Sequence, residues 1–224
     1  MSPAKSARRK VQRQTANPPS QSAHLAGISA PPFYDIYLTA RGDTIRYALG
    51  RTGYRPLLII GLNPSTANQY TRDQTLTRVE RFTQRRANSL IMCNLYPLRA
   101  TNPNDLPHKA NAQLIQQNID CIYALARDID PLEIWAAWGT PIEKRPYLFN
   151  SLAQLHNHLT PLSPHWLQCG PPTQKGHPRH PSRLGYKHHF SIFDIDSYLD
   201  LHSPSWPLSG DTLPKLSAGT GVGP

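Results

Sequence analysis

Leu57-Leu58-Ile59-Ile60-Gly61-Leu62-Asn63-Pro64-Ser65-Thr66 is the stretch of sequence that decides the fold. Its four leading apolar residues are too few for a helix and are typical of a buried strand. Gly61 and Asn63-Pro64 end the strand abruptly, and Ser65 or Thr66 can cap a following helix. A buried strand that ends in such a polar turn predicts the ligand-binding edge of an open α/β sheet. The alternative interpretation is an ordinary strand-to-helix turn without a functional role.

Strands and helices alternate along the rest of the chain. Apolar runs predict further strands at 90–95, 133–139 and 166–170, and a short edge strand at 189–192. Apolar residues at helical spacing predict helices at 73–87, 111–127, 141–158 and 193–202. Alternation of this kind predicts a three-layer α/β/α fold with a mostly parallel sheet of four to five strands.

A single domain is predicted at 25–202, between two tails. Residues 1–24 hold five basic and no acidic residues among Ser, Pro, Gln and Ala, which predicts a disordered basic tail. Residues 203–224 are rich in Pro, Ser and Gly, which predicts a second tail.

Composition favours a polyanionic partner in a reducing compartment. The chain has 24 Lys and Arg against 14 Asp and Glu, a formal charge of +10, which favours DNA as the partner. The widely spaced Cys93, Cys121 and Cys169 each lie in an apolar run and are predicted to be buried thiols. We find no apolar run long enough for a membrane span and no secretory signal, and we expect a cytoplasmic, nucleoid-associated monomer without a cofactor.

Polar residues that follow the predicted strands should meet at one edge of the sheet, because the turns after parallel strands gather there. These residues are Asn63-Pro64-Ser65-Thr66, Asn94, Gly139-Thr140 and the loop around His180. The chain has no Gly-x-x-x-x-Gly-Lys phosphate loop, no Gly-x-Gly-x-x-Gly and no serine in a nucleophile elbow. Triphosphate and dinucleotide chemistry are therefore not expected.

Four motifs resemble, in their order, those of the uracil-DNA glycosylase superfamily: Gly61-Leu62-Asn63-Pro64, Leu90-Ile91-Met92-Cys93-Asn94, Trp135-Ala136-Ala137-Trp138-Gly139 and His180-Pro181-Ser182-Arg183-Leu184. The first is similar to the mismatch-specific thymine/uracil branch, and the last to the main uracil branch. The chain also looks like the DUF1643 family, through Asn-Pro-Ser-Thr-Ala at 63–67, an Asp-x-Thr just after it and Lys-Gly-His-Pro-x-His-Pro at 175–181. We take that family to be an outlying member of the superfamily.

The resemblance implies a monofunctional DNA glycosylase, which flips a pyrimidine out of DNA and hydrolyses its N-glycosidic bond, leaving an abasic site. His180 would hydrogen-bond the base carbonyl as negative charge develops there, and Asn63 would hold the attacking water. Asn94 would read the pyrimidine edge, because a carboxamide can donate and accept, and Leu62 and Ser65 would complete the base pocket.

Contacts to DNA are implied in the same way. Leu184 would fill the gap left by the extruded base, as apolar wedges do. Ser65, Ser182 and Arg183 would hold the neighbouring phosphates. Further phosphate-binding candidates are Arg78, Arg81, Arg85 and Arg99, for each of which a solvated helix or loop surface is the alternative.

Ser65 bears on the substrate. The main uracil branch has a tyrosine at this position, which blocks pyrimidines substituted at C5. A serine leaves room, so we expect a C5-modified pyrimidine, such as a glucosylated hydroxymethyl cytosine or uracil of phage DNA, and a role in antiviral defence. Uracil or mismatched thymine, removed in DNA repair, is the plainer expectation.

Two other functions stay open. A non-catalytic protein that binds DNA or a modified base would keep the fold and the pocket, and the amide of Asn63 in place of a carboxylate is compatible with it. A metal-dependent nuclease would use the histidines at 177, 180, 188 and 189 as ligands. Phosphodiester-cutting metal sites usually include carboxylates as well, and none occurs between Glu143 and Asp194.

Overall fold

The structure is a computed structural model, and it describes residues 31–202. The tails predicted at 1–24 and 203–224 lie outside these residues. One sheet holds the strands β1 (Ile36–Ala40), β2 (Ile45–Gly50), β3 (Pro56–Gly61), β4 (Ser89–Asn94), β5 (Glu133–Ala136), β6 (His165–Cys169) and β7 (Phe190–Ile192). The α-helices are α1 (Gln74–Thr83), α2 (Ala112–Ala126), α3 (Tyr147–Leu159) and α4 (Ile195–His202).

The α/β class is confirmed, but the sheet is larger and more mixed than predicted. Its seven strands run in the order β1-β2-β4-β3-β5-β6-β7. The four inner strands β4, β3, β5 and β6 are parallel, whereas β1 with β2, β2 with β4 and β6 with β7 are antiparallel. The prediction of a mostly parallel sheet of four to five strands is therefore wrong.

Two strands of the structure, β1 and β2, were not predicted from the sequence, and they form a hairpin. β1 lies at the edge of the sheet, and its short apolar segment Ile36-Tyr37-Leu38 is only partly buried. β2 is buried, but Arg46 interrupts its apolar residues. In β2, Ile45, Tyr47 and Leu49 alternate with other residues, so the period-two pattern of a strand is present in the sequence, but it is short and Arg46 obscures it.

Local signals set the helix boundaries. Asp73 caps α1 because its side chain accepts a hydrogen bond from the Leu76 N–H at 2.7 Å. The side chain of Asn111 caps α2 in the same way, by accepting from the Leu114 N–H. The helix predicted at 141–158 is divided into a 3₁₀ turn at Thr140–Lys144 and the helix α3. Arg145 between them is extended, because the proline that follows disfavours a helical conformation at the preceding residue.

Helices cover both faces of the sheet. Leu58 and Ile60 of β3 pack in the core that contains α2 and α3, while Leu57 and Ile59 pack in the core that contains α1. Alternate residues of a strand point to opposite faces, so one strand contributes to both cores. Cys93 and Cys169 are buried as predicted, whereas Cys121 is only half-buried. Within residues 31–202, no helix is long and apolar enough to cross a bilayer.

The connections after β3 and β5 leave the sheet on opposite faces. β3 leads to α1 on one face, and its neighbour β5 leads to α3 on the other. Neighbouring parallel strands whose connections diverge leave a crevice outside their carboxyl ends. The fold therefore creates a cleft next to Asn63 and Gly139.

Candidate functional site

A cavity of about 780 Å³ lies at this edge of the sheet. Three segments that follow parallel strands form much of its wall. They contribute Leu62, Asn63 and Ser65 after β3, Gly139 and Thr140 after β5, and His180, Ser182 and Arg183 after β6. The structure thus brings both predicted catalytic residues, Asn63 and His180, to one cavity, although they are far apart in sequence.

The side chain of Asn63 is held in one orientation. Its amide nitrogen donates hydrogen bonds to the backbone carbonyls of Ala100, at 2.7 Å, and Pro64, at 3.2 Å. Since these bonds use the N–H groups, the side-chain oxygen is the remaining polar atom, and it accepts no hydrogen bond from residues 31–202. A half-buried oxygen at a cavity wall can accept a hydrogen bond from a water molecule and orient it.

The imidazole of His180 is neutral, and its tautomer is defined by its contacts. Its Nδ1 accepts a hydrogen bond from the Ser182 backbone N–H at 3.3 Å and lies 2.8 Å from the Ser182 hydroxyl oxygen. The ring proton is therefore on Nε2. Burial lowers the pKa of His180 to about 4; the Asp73 carboxylate opposes this shift and Arg183 adds to it. At neutral pH, His180 offers one uncharged N–H donor.

Gly139 allows the turn after β5 to approach the His180 loop. Its φ is +69° and its ψ is −179°, a combination that is essentially restricted to glycine. A Cβ atom there would lie 2.9 Å from the Cβ and 3.2 Å from the backbone nitrogen of His180. The position of His180 thus depends on the absence of a side chain at residue 139.

A chain of hydrogen bonds, buried at Trp138, Tyr198 and His177 and ending at the exposed Glu143 and Lys175, anchors the His180 loop from behind. The Trp138 indole N–H donates to the Tyr198 hydroxyl at 3.1 Å, and that hydroxyl is 2.8 Å from Nδ1 of His177. The Nε2 of His177 is 3.0 Å from Glu143, which also accepts from Lys175 at 2.6 Å. Trp138 lines the cavity, so this network connects the cavity wall to the segment that carries His180.

The histidines predicted as nuclease ligands do not converge. Both ring nitrogens of His177 contact protein groups, and Nδ1 of His180 is paired with Ser182. In the part of the chain that the structure describes, no group of three or more His, Cys, Asp or Glu side chains is arranged to hold a metal ion.

Asn94 is not in the cavity wall. It is 1 % exposed, and its side-chain amide has no hydrogen-bond partner among the described residues. Its Oδ1 packs against the backbone of Gly61, where an added Cβ would lie 2.8 Å away. Asn94 does not line the cavity, so its reading of a pyrimidine edge stays a prediction.

Leu184 is a core residue, which corrects the prediction that it is a wedge. It is 2 % exposed and packs in the core that contains α1. Its backbone carbonyl accepts a hydrogen bond from Arg78 at 2.8 Å. Insertion into DNA would require Leu184 to leave that core, and burying a leucine is worth about 1.5–3 kcal/mol.

The arginines that were predicted to bind phosphates contact backbone carbonyls or an aromatic ring of neighbouring segments of the protein. Arg85 donates a hydrogen bond to the backbone carbonyl of Tyr186 at 2.7 Å. The Arg81 guanidinium lies 3.9 Å from the centre of the Tyr186 ring. Arg99 donates to the Ser65 carbonyl at 2.7 Å. These contacts, with that of Arg78, hold the segments next to the cavity. Contacts to phosphates through their remaining N–H groups stay a prediction.

Three charged residues of the cavity wall, Arg46, Asp73 and Arg179, were not predicted from the sequence. Arg46 is 1 % exposed and donates to the Ala67 carbonyl at 2.7 Å, and burial lowers its pKa to about 10. Its signal in the sequence was a charged residue inside an apolar run. Asp73 begins the Asp-x-Thr that contributes to the resemblance to the DUF1643 family, but no role was assigned to it from the sequence.

Comparisons with known proteins give one match. A family described as "Protein of unknown function (DUF1643)" matches residues 46–182, from β2 to the His180 loop. This span contains most of the cavity wall. No curated protein and no solved structure matches the chain.

Proposed function

The chain belongs to the DUF1643 family, and from its site we propose that it is a monofunctional DNA glycosylase, an outlying member of the uracil-DNA glycosylase superfamily. The observation that carries the proposal is the pairing of an uncharged His180 donor with the fixed amide of Asn63 in one cavity. The reaction is hydrolysis of the bond between a pyrimidine and its deoxyribose, which leaves an abasic site.

His180 supplies the group that the leaving base needs. When the N-glycosidic bond breaks, its electron pair goes to the base, and negative charge spreads to the base carbonyl oxygens. An N–H donor fixed in advance next to such an oxygen stabilises that charge without moving at the moment of reaction. The hydrogen bond from Ser182 keeps the proton on Nε2, the nitrogen not paired with Ser182.

Asn63 holds the water that attacks the sugar. The two hydrogen bonds of its amide nitrogen fix the side chain, and its oxygen accepts from the water. An amide is too weak a base to remove a proton, but a dissociative reaction depends more on orientation than on basicity. A slower enzyme than one with a carboxylate at this position is expected from Asn63 alone.

The base pocket suits a pyrimidine with a substituent at C5. Ser65 and Leu62 line the cavity after β3, and the small side chain of Ser65 leaves space there. About 780 Å³ is in the range of cavities that hold drug-sized ligands, and a flipped hypermodified nucleotide is of that size. We therefore rank glucosylated hydroxymethyl pyrimidines of phage DNA first, in a defence role, and uracil or mismatched thymine second.

Exposed groups at the cavity support the proposal that the protein binds DNA. Ser182 and Arg183 are exposed where they line it, and they are placed to contact phosphates beside the flipped nucleotide. The basic residues of 1–24 add salt-dependent, non-specific attraction to DNA. The proposal includes a cytoplasmic, nucleoid-associated monomer that needs no cofactor.

Base release from a panel of DNAs tests this function. The panel contains uracil, mismatched thymine, 5-hydroxymethylcytosine, its glucosylated form and 5-hydroxymethyluracil, and abasic sites are scored by alkali cleavage. We expect release from at least one substrate, lost in His180→Ala and Asn63→Ala. His165→Ala and Asn150→Ala, at exposed residues outside the cavity wall, are the matched controls and should keep activity. Intact DNA across the panel would refute the proposal.

A non-catalytic binder of DNA or of modified bases is the second candidate. The observation that favours it is the amide of Asn63 where a carboxylate would be a stronger catalyst. Such a protein would retain specific binding to one DNA of the panel without releasing its base. Its affinity would fall on substitution of Arg183 and would be insensitive to His180→Ala.

A further inference from the structure

We propose that Asp73 is the catalytic carboxylate of this cavity, which stabilises the positively charged sugar and accepts a proton from the attacking water. The inference rests on the proposed function and deepens it, because it assigns the base that Asn63 cannot provide. Asp73 occupies a different place from Asn63, at the start of α1, and reaches the same cavity.

Asp73 is the one acidic residue among the described residues that line the cavity. One of its oxygens, Oδ1, accepts the hydrogen bond from the Leu76 N–H at 2.7 Å that caps α1. The other, Oδ2, makes no hydrogen bond or ion pair with residues 31–202. The cap fixes the carboxylate, and the second oxygen is left for a ligand.

Positive and neutral groups surround this carboxylate. Arg46, Arg179, Arg183 and His180 line the same cavity. Arg46 is 1 % exposed, and its Nε has no hydrogen-bond partner among the described residues, so this buried cation of the cavity wall has no carboxylate ion pair there. Asp73 raises the pKa of both Arg46 and His180 against the effect of burial, which indicates that its charge acts on both.

The reaction balances with these groups. The bond between C1′ and the pyrimidine nitrogen breaks, and its electron pair leaves with the base, whose carbonyl oxygen accepts a hydrogen bond from His180. The sugar becomes cationic, and Asp73 lowers the energy of that cation by its opposite charge. A lone pair of the water held by Asn63 forms the new C–O bond at C1′. The water proton passes to Asp73 and from there to solvent, which also protonates the departed base.

The first test measures charge preference and needs no knowledge of the base. DNA with a pyrrolidine abasic-site analogue, which is protonated, resembles the cationic sugar, and DNA with a tetrahydrofuran analogue is its neutral counterpart. We expect the protein to bind the pyrrolidine DNA at least tenfold more tightly, and Asp73→Asn to lose this preference. Asn also caps helices well, so the variant should fold, which its urea midpoint verifies. Asp120→Asn, at an exposed carboxylate on α2, should keep the preference.

The second test measures base release on the best substrate of the panel. We expect Asp73→Asn to be roughly 100-fold slower or more, the usual contribution of a general base. Its loss should appear in the rate constant for base release at saturating protein, with little change in DNA affinity.

The outcomes separate this inference from the proposed function. Equal cation preference in the natural protein and in Asp73→Asn overturns the role of Asp73, and so does full activity of that variant when His180→Ala is inactive. An Asp73-dependent cation preference without base release from any DNA supports the electrostatic role of Asp73 and refutes the glycosylase.

Discussion

Replacing Gly139 by alanine adds one methyl group where the turn after β5 meets the His180 loop. The backbone at residue 139 has φ +69° and ψ −179°, which L-residues rarely adopt. The added carbon would lie 2.9 Å from the His180 Cβ and 3.3 Å from Cδ of Pro141. Neither neighbour is the end of a flexible side chain, so the His180 loop or the turn must move.

The expected cost has two parts. Holding a residue with a side chain in this backbone region costs about 1–3 kcal/mol. Overpacking by one methyl group against fixed neighbours costs about 1–3 kcal/mol more. We therefore expect Gly139→Ala to lower the free energy of unfolding by about 2–6 kcal/mol. Because the relief of the clash displaces His180, base release should fall by more than the loss of folded protein explains.

Gly42→Ala is the matched control. Gly42 has φ +61°, but no atom lies within 4 Å of the position of an added Cβ. This substitution carries the conformational strain alone, about 1 kcal/mol. Urea denaturation of the two variants and of the natural protein gives the excess cost at residue 139, which combines the clash with the more restricted backbone conformation there. Equal destabilisation of the two variants, with base release unchanged in Gly139→Ala, would refute the close packing of Gly139 against His180.

Three further changes test other parts of the structure. Leu184→Ala should lower the free energy of unfolding by about 2–4 kcal/mol in urea denaturation, because Leu184 is 2 % exposed, whereas an exposed wedge would cost little. The pKa of His180 falls from 6.5 to about 4 on folding, so its contribution to stability is complete above pH 6.5 and is lost as the pH falls towards 4. That loss is at most about 3 kcal/mol, and urea titrations across this range should show it in the natural protein and not in His180→Gln. Glu143→Gln weakens the contact with buried His177, and it should lower the thermal midpoint by about 2–4 °C, equivalent to about 1 kcal/mol.

The features of the fold that depend on local sequence patterns and on the order of the elements were predictable. The run at 57–60 specified β3 because a short apolar segment closed by glycine and proline has few other structures available. Asn63 and His180 could be assigned to one edge because the turns after parallel strands gather there, a rule that holds over long separations in sequence. This is why their meeting in the cavity follows from element order alone.

The direction of individual side chains was not predictable. Asn94 ends β4 as Asn63 follows β3, yet only Asn63 reaches the cavity, because the Asn94 amide packs against the backbone of Gly61. Leucine suits both a core and a DNA wedge, so its identity at residue 184 could not distinguish them. Only the structure shows that Leu184 is buried in the core that contains α1, where its backbone carbonyl also accepts a hydrogen bond from Arg78.

The sequence by itself determined the α/β class and the edge at which Asn63 and His180 meet, since each depends on short-range patterns and on chain order. Only the tertiary structure decided that β1 and β2 extend the sheet, that Asp73 and Arg46 share the cavity and that His180 is uncharged. Burial and contacts between distant segments set those properties. Burial and long-range contacts exist only in the folded protein, so no local sequence pattern encodes the properties that depend on them.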